Sequence, residues 1–262
     1  MQFEFMWVTL VVTVFSAVII ICLERLIPYT PDQRLFRDGF MNDFVWYSLV
    51  QSYVLGLVIF GLIGEIDSST SFHRIHVLRD LPILGQVVIL LIVHDLYIYW
   101  FHRLQHKSAL LWRLHEAHHS TVDVDWLSGS RSHALEIFIN QTVEFLPIVL
   151  LASPEVAVIK GCVDAVWGMY IHANIDVRSG VLQKVLNGPE MHRWHHATDD
   201  VAHNRNFSTK IALWDWLFGT AYLPNRQKPS GFGIGDDFPK TYISQHVYAF
   251  RPLDPERDTT RA

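Results

Sequence analysis

The longest uninterrupted apolar stretch, residues 5–23 (FMWVTLVVTVFSAVIIICL), carries no charge. At ~1.5 Å per residue it is long enough to cross ~30 Å of hydrocarbon as a helix. It has neither a basic leading region nor a small-residue cleavage site, so it reads as an anchor and not as a removed signal peptide. Two further apolar runs, about 44–63 and 83–101, predict a second and a third crossing. Weaker segments near 134–152 and 156–171, joined by a Ser153-Pro154 turn signal, read either as two more spans or as a shallow helical hairpin. There is no internal repeat, no low-complexity tract and no linker. The pattern predicts one all-α domain over 1–262: a membrane bundle of four to five helices with a histidine-rich helical cap.

The weaker pair carries polar residues at helical spacing. His133, Glu136, Asn140 and Glu144 recur at intervals of three and four, and Lys160 and Asp164 lie one turn apart. Ionisable groups facing lipid are costly. These stripes should therefore face inward, either pairing between helices, as Glu144 with Lys160, or lining a substrate channel. With five crossings, every dense histidine cluster falls on one side, together with all 21 Lys and Arg residues except Arg74, Arg79 and Lys160. The positive-inside tendency makes that side the cytoplasm and leaves the N-terminus outside.

Composition agrees with a membrane protein, with 50% of residues hydrophobic and 18% charged. A net charge of -5 without a basic stripe excludes a nucleic-acid partner. Cys22 and Cys162 sit in apolar segments and form no metal or redox motif. The fifteen histidines are the unusual feature. Three clusters stand out: His102 and His106 in HRLQH, His115, His118 and His119 in HEAHH, and His192, His195 and His196 in HRWHH. Residues i, i+3 and i+4 share a helix face, so each cluster can aim two or three imidazoles at one point. A catalytic zinc uses about three protein ligands, so eight convergent histidines suggest two ions. Imidazole suits iron, zinc and copper alike. His73, His76, His203 and His246 are read as ordinary histidines.

The runs DLYIYWFHRLQH (95–106), HEAHHS (115–120), RSHALE (131–136), HANI (172–175), PEMHRWHH (189–196) and NFSTKIALWDWLFGT (206–220) together resemble the fatty acid hydroxylase/sterol desaturase superfamily. The likeness spans about 95–223, with 83–223 as the catalytic region. It implies an integral-membrane, non-haem di-iron enzyme that hydroxylates or desaturates a lipid with O2. No haem or flavin domain is fused here, so a separate ferredoxin-like or haem electron donor is implied. The eight box histidines match the family's metal ligands, and His172 matches a further histidine the family often uses. His133 stands where the family usually has H-P-x-E, with Ala134 in place of the proline, and is expected either as a further metal ligand or as a residue supporting one. Zinc readily replaces iron at nitrogen sites during purification.

Helical geometry places Asp95, Tyr99, His102 and His106 on one stripe. Asp95 lies about 10 Å along the axis from His102. It should therefore orient another histidine's free N–H or pair with a buried arginine such as Arg131. Tyr99 is a catalytic candidate on the same stripe. The Trp214/Trp216 segment reads as an interfacial cap helix. Two rival readings remain. One is a zinc protease using His115, Glu116 and His119, which leaves HRLQH and HRWHH without a role; the other is a non-enzymatic metal-binding or transport protein.

Overall fold

Each apolar run forms a helix in the computed structural model, which describes residues 2–70, 77–225, 227–235 and 237–252, with side chains from Trp7 onward. His73, Arg74 and His76 lie outside the described residues. Helix α1 (Gln2–Leu26) is followed by ten residues of π-helical turns (Asn42–Gln51) that run directly into α2 (Ser52–Thr70). Next come α3 (Ile83–Gln105), α4 (Ala109–His119), α5 (Ala134–Leu151) and α6 (Pro154–His172). The tail holds three short helices, α7 (Pro189–His195), α8 (Leu213–Leu217) and α9 (Tyr242–Tyr248). Among the described residues there is no strand, only isolated bridges joining Pro28 to Ile175 and Ala197 to Phe232.

Four helices are long and apolar enough to cross a bilayer: Trp7–Leu26, Asn42–Thr70, Ile83–Gln105 and Ala134–Leu151. These four fall within the expected bundle of four to five. Helix α6 has the length, at 19 residues, but Glu155, Lys160 and Asp164 lower its apolarity. It is instead enclosed, packing on α1, α3 and α5, while α2 flanks α5. Val11, Phe15, Leu57, Leu84 and Val93 remain exposed on α1, α2 and the outward face of α3, as lipid-facing side chains are.

Helices α3, α5 and α6 form the centre. Val87, Leu90, Ile148, Ala152 and Val156 pack where α3 begins, α5 ends and α6 begins. Gln86 staples this end: its oxygen accepts from Ser153 N at 2.8 Å, and its amide donates to Leu81 O at 2.8 Å. Pro154 occupies the first turn of α6, where a missing N–H costs nothing. Because α5 runs against α3 and α6, the end of α3, the start of α5 and the end of α6 meet at the opposite pole. Histidines far apart in sequence converge there.

Candidate metal centre

The nine histidines expected from the boxes and from H-A-N-I come together in two groups. His102, His106, His115, His119 and His195 form one, and His118, His172, His192 and His196 form the other; within each, the ligand atoms lie within 4.8 Å of one another. All nine are buried. Helix periodicity splits each H-x-x-H-H box between the groups: His115 and His119 face one way on α4 and His118 the other, while α7 sends His195 to the first group and His192 and His196 to the second. The groups abut, with ring centroids 4.4 Å apart between His119 and His196 and 5.0 Å between His115 and His118.

Hydrogen bonds fix the outer nitrogen of these rings. Nδ1 of His102 lies 2.7 Å from Phe207 O, Nδ1 of His118 3.1 Å from Arg131 O, Nδ1 of His172 2.8 Å from Gly168 O, and Nδ1 of His195 2.8 Å from Arg205 O. His115 Nδ1 meets Glu136 Oε1 at 2.9 Å. Each partner is an acceptor, so Nδ1 carries the proton and Nε2 turns a bare lone pair inward. Two such lone pairs then confront each other at 3.0 Å between His102 and His115, and at 3.3 Å between His118 and His172. No proton is available to join them. Nε2 of His106, His119 and His195 is also buried without a hydrogen-bond partner. Lone pairs crowded in this way are stable only around cations, so the residues present fit a metal centre.

Protonation agrees with that fit. Burial, reinforced by neighbouring imidazoles, holds His106, His118, His119, His192 and His196 well below the ordinary histidine range. Burial brings His195 down to about 3. These rings are neutral at physiological pH, the form that binds iron, zinc or copper.

Several expected site residues lie elsewhere. Asp95 orients no histidine and does not meet Arg131. Its carboxylate accepts from Thr209 Oγ1 (2.8 Å), Lys210 N (3.0 Å), Ile211 N (2.9 Å) and Trp214 Nε1 (3.1 Å), anchoring the tail segment to α3. Arg131 instead grips Asp43 through two bonds of 2.8 Å. Tyr99 is buried with its hydroxyl on Thr220 Oγ1 at 2.9 Å and Arg103 Nη1 at 3.1 Å, away from both groups. His133 also stands apart: its Nδ1 caps α5 by accepting from Leu135 N at 3.1 Å, and its ring packs 4.4 Å from that of His246. The expected interfacial helix shrinks to Leu213–Leu217, and Trp214 is spent on Asp95. Glu116, the base a protease would need, is held by Arg251 through bonds of 2.7 and 2.9 Å.

Other supporting residues escaped the sequence. Glu136 was visible as part of a polar stripe and as the glutamate of the H-P-x-E position, but not as the partner of His115, and the backbone carbonyls leave no sequence signal. Gly129 could have been suspected only as a glycine beside a turn: a Cβ there would lie 2.5 Å from His172 Nδ1. Gly39, at φ +79°, makes room for Arg131, whose Nη2 would sit 2.8 Å from a Cβ.

Two cavities reach the histidines. A polar one of about 360 Å³ touches His106, His119, His195 and His196 and is lined further out by Thr198, Asp200, His203 and Asn204. The other, about 240 Å³, lies between α3, α5 and α6, where Ile98, Phe101, Ile137, Trp167 and Ile171 lead to His102, His115, His118, His172 and His192. Its wall also includes His94, Glu144 and Asp164, a trio able to hold a cation. The Lys160 ammonium already fills that role, bonding to Glu144, to Asp164 at 2.8 Å and to His94 Nδ1 at 2.9 Å. The expected Glu144–Lys160 pair is thus present beside the cavity.

Comparison with known proteins identifies the lineage. The family model described as Fatty acid hydroxylase matches residues 87–220. The ornithine lipid hydroxylase OlsE of Rhizobium tropici is 30% identical over 251 residues, covering 92% of this chain and 75% of that protein. Alkylglycerol monooxygenase of Homo sapiens is 29% identical over 49% of this chain but only 29% of its own length. A very-long-chain aldehyde decarbonylase of Oryza sativa subsp. japonica is 25% identical over 53% of this chain and 52% of its own. No solved structure matches. The chain belongs to the fatty acid hydroxylase family.

Proposed function

We propose that this protein is a membrane-bound, non-haem di-iron oxygenase that hydroxylates a lipid, with one iron held by each histidine group. The observation that carries this reading is two abutting, all-imidazole groups opening onto an apolar cavity between membrane helices. Iron bound there supplies the redox chemistry with O2 that an inert alkyl C–H bond requires. The overall change, RH + O2 + 2 e⁻ + 2 H⁺ → ROH + H2O, draws its electrons from a separate ferredoxin-like or haem protein.

The chain's own groups do the rest. Ile98, Phe101, Ile137 and Ile171 offer an alkyl segment a dry wall and present its carbon to the histidine cluster. Glu136 and the carbonyls of Phe207, Arg131, Gly168 and Arg205 hold five imidazoles in one tautomer and orientation. The polar cavity over His106, His119, His195 and His196 gives O2 and protons an entry separate from the lipid's. Relatives named as a lipid hydroxylase and a monooxygenase favour hydroxylation over desaturation, and the OlsE likeness favours a polar membrane lipid as substrate. The basic loops beside the histidines support a centre on the cytoplasmic face.

Paired variants test this against the protease reading. His118→Ala should lose at least one iron and the lipid product together, whereas Glu116→Gln should retain both metal and hydroxylation. Abolished turnover in Glu116→Gln with full metal content contradicts the proposal.

A further inference from the structure

A third recess lies just outside the centre. It measures about 260 Å³ and is lined by Arg103, Lys107, His203, Asn204, Arg205 and Phe207, with Gly219 and Thr220 closing one end. No carboxylate lines it, and three cations do, although the chain as a whole carries a net charge of -5. Arg103 donates to the Tyr99 hydroxyl at 3.1 Å and Arg205 to Gly219 O at 3.2 Å. Among the described residues, neither they nor the exposed Lys107 forms an ion pair. Asp215 lies behind the wall, accepting from Thr220 Oγ1 at 2.7 Å and from Phe207 N at 2.8 Å, and Asp200 lies 4.0 Å from His203 on the neighbouring polar cavity.

The wall of this groove is bonded to the metal-binding residues themselves. Arg205 O is the acceptor for His195 Nδ1, and Phe207 O is the acceptor for His102 Nδ1, so two imidazoles of the five-histidine group lie one hydrogen bond from the groove. His203 and Asn204 line both this groove and the polar cavity over the histidines. A partner seated here covers the polar entry and stands on a short covalent and hydrogen-bonded route to the centre.

We infer that this basic groove is the docking site for an acidic one-electron carrier, which delivers the two electrons of each turnover singly through the 205–207 backbone and the His195 and His102 imidazoles. The inference rests on the oxygenase reading. Opposite charge steers such a carrier to the groove and sets its orientation, and added salt screens the attraction. An anionic lipid headgroup would suit the same cations. The carrier is favoured because the groove is bonded to the histidine cluster, an arrangement that lipid binding does not need.

The test uses iron-loaded enzyme in neutral phosphatidylcholine vesicles, driven by an acidic [2Fe–2S] ferredoxin with its reductase and NADPH, or by the soluble haem domain of cytochrome b5. Lys107→Glu should raise the KM for the carrier about tenfold and flatten its salt dependence. Dithionite-driven hydroxylation should stay within about twofold of wild type. Arg103→Gln should raise that KM less, because one charge is lost without reversal. An unchanged carrier KM in Lys107→Glu overturns the inference, as does wild-type turnover with dithionite but with neither carrier. A Lys107→Glu defect confined to anionic vesicles overturns it in favour of lipid binding. Absence of lipid product from wild type with dithionite and O2 is a different failure, that of the oxygenase reading itself.

Discussion

Glu136 Oε1 lies 2.9 Å from His115 Nδ1, and both groups are buried. A carboxylate behind an imidazole fixes its tautomer and raises its basicity, and losing such a partner typically weakens metal binding by roughly 10–100-fold. Glu136→Ala should show a loss of that order in iron affinity, measured by competition with a chelator. Glu136→Gln, whose amide oxygen still accepts from Nδ1, should recover most of it.

Gly129 packs against the His172 ring, and an alanine there would need to place its Cβ 2.5 Å from Nδ1. The His172 ring must move, and with it the second histidine group. Gly129→Ala should weaken iron binding at the second group by roughly 10–100-fold, the loss typical when a ligand's supporting surroundings are disturbed. Metal analysis of the purified variant checks this.

Asp95 takes two backbone N–H groups, a hydroxyl and an indole N–H. Asp95→Ala leaves those donors buried without acceptors, at a cost of about 1–3 kcal/mol for each that finds no water. The variant should melt several degrees lower in detergent while the folded fraction keeps its activity per bound iron. A large loss of activity per iron at unchanged melting temperature would return Asp95 to the chemistry.

Lys160 sits between Glu144 and Asp164. Removing the cation alone strands the buried Glu144, while Asp164 keeps Lys210 at 2.7 Å, and a broken buried pair costs about 3–5 kcal/mol. Lys160→Met should therefore unfold more readily than Lys160→Met/Glu144→Gln. Thermal unfolding of the two variants side by side gives the comparison.

Acid should destabilise the metal-free protein. His195 titrates near 3 in the fold, against about 6.5 for an ordinary histidine, and its neighbours outside the spans shift the same way. Between those pH values the unfolded chain holds protons that the folded chain does not, so unfolding gains ground as pH falls below about 6.5. Above that pH both states are neutral and stability levels off. Bound iron should delay the loss until protons displace the metal. Unfolding midpoints of metal-free and iron-loaded protein across pH 4–8 test both statements.

The helices and the histidine boxes were legible in sequence because both rest on local periodicity. Apolar length reports a span, and i, i+3, i+4 spacing reports a shared face. The polar face of α6 was less so: its Lys160 and Asp164 are neutralised by Glu144 on α5 and Lys210 in the tail, a tertiary fact. The supports of the centre were mostly invisible. Phe207, Arg205 and Gly168 act through backbone carbonyls, which any residue supplies. Asp95 was misread for a related reason, since its stripe with His102 and His106 is real, but its partners lie in a tail segment more than a hundred residues away. His133 kept the family position while spending its ring on capping α5 and packing against His246.

The most direct test is mass spectrometry of lipids from cells with and without this protein, grown under ¹⁸O2. An oxygenase whose two iron groups are the nine buried histidines predicts a lipid gaining one ¹⁸O atom, present with the wild-type chain and absent with His118→Ala. A lipid profile unchanged by the wild-type protein, with iron bound and an electron donor supplied, would contradict it.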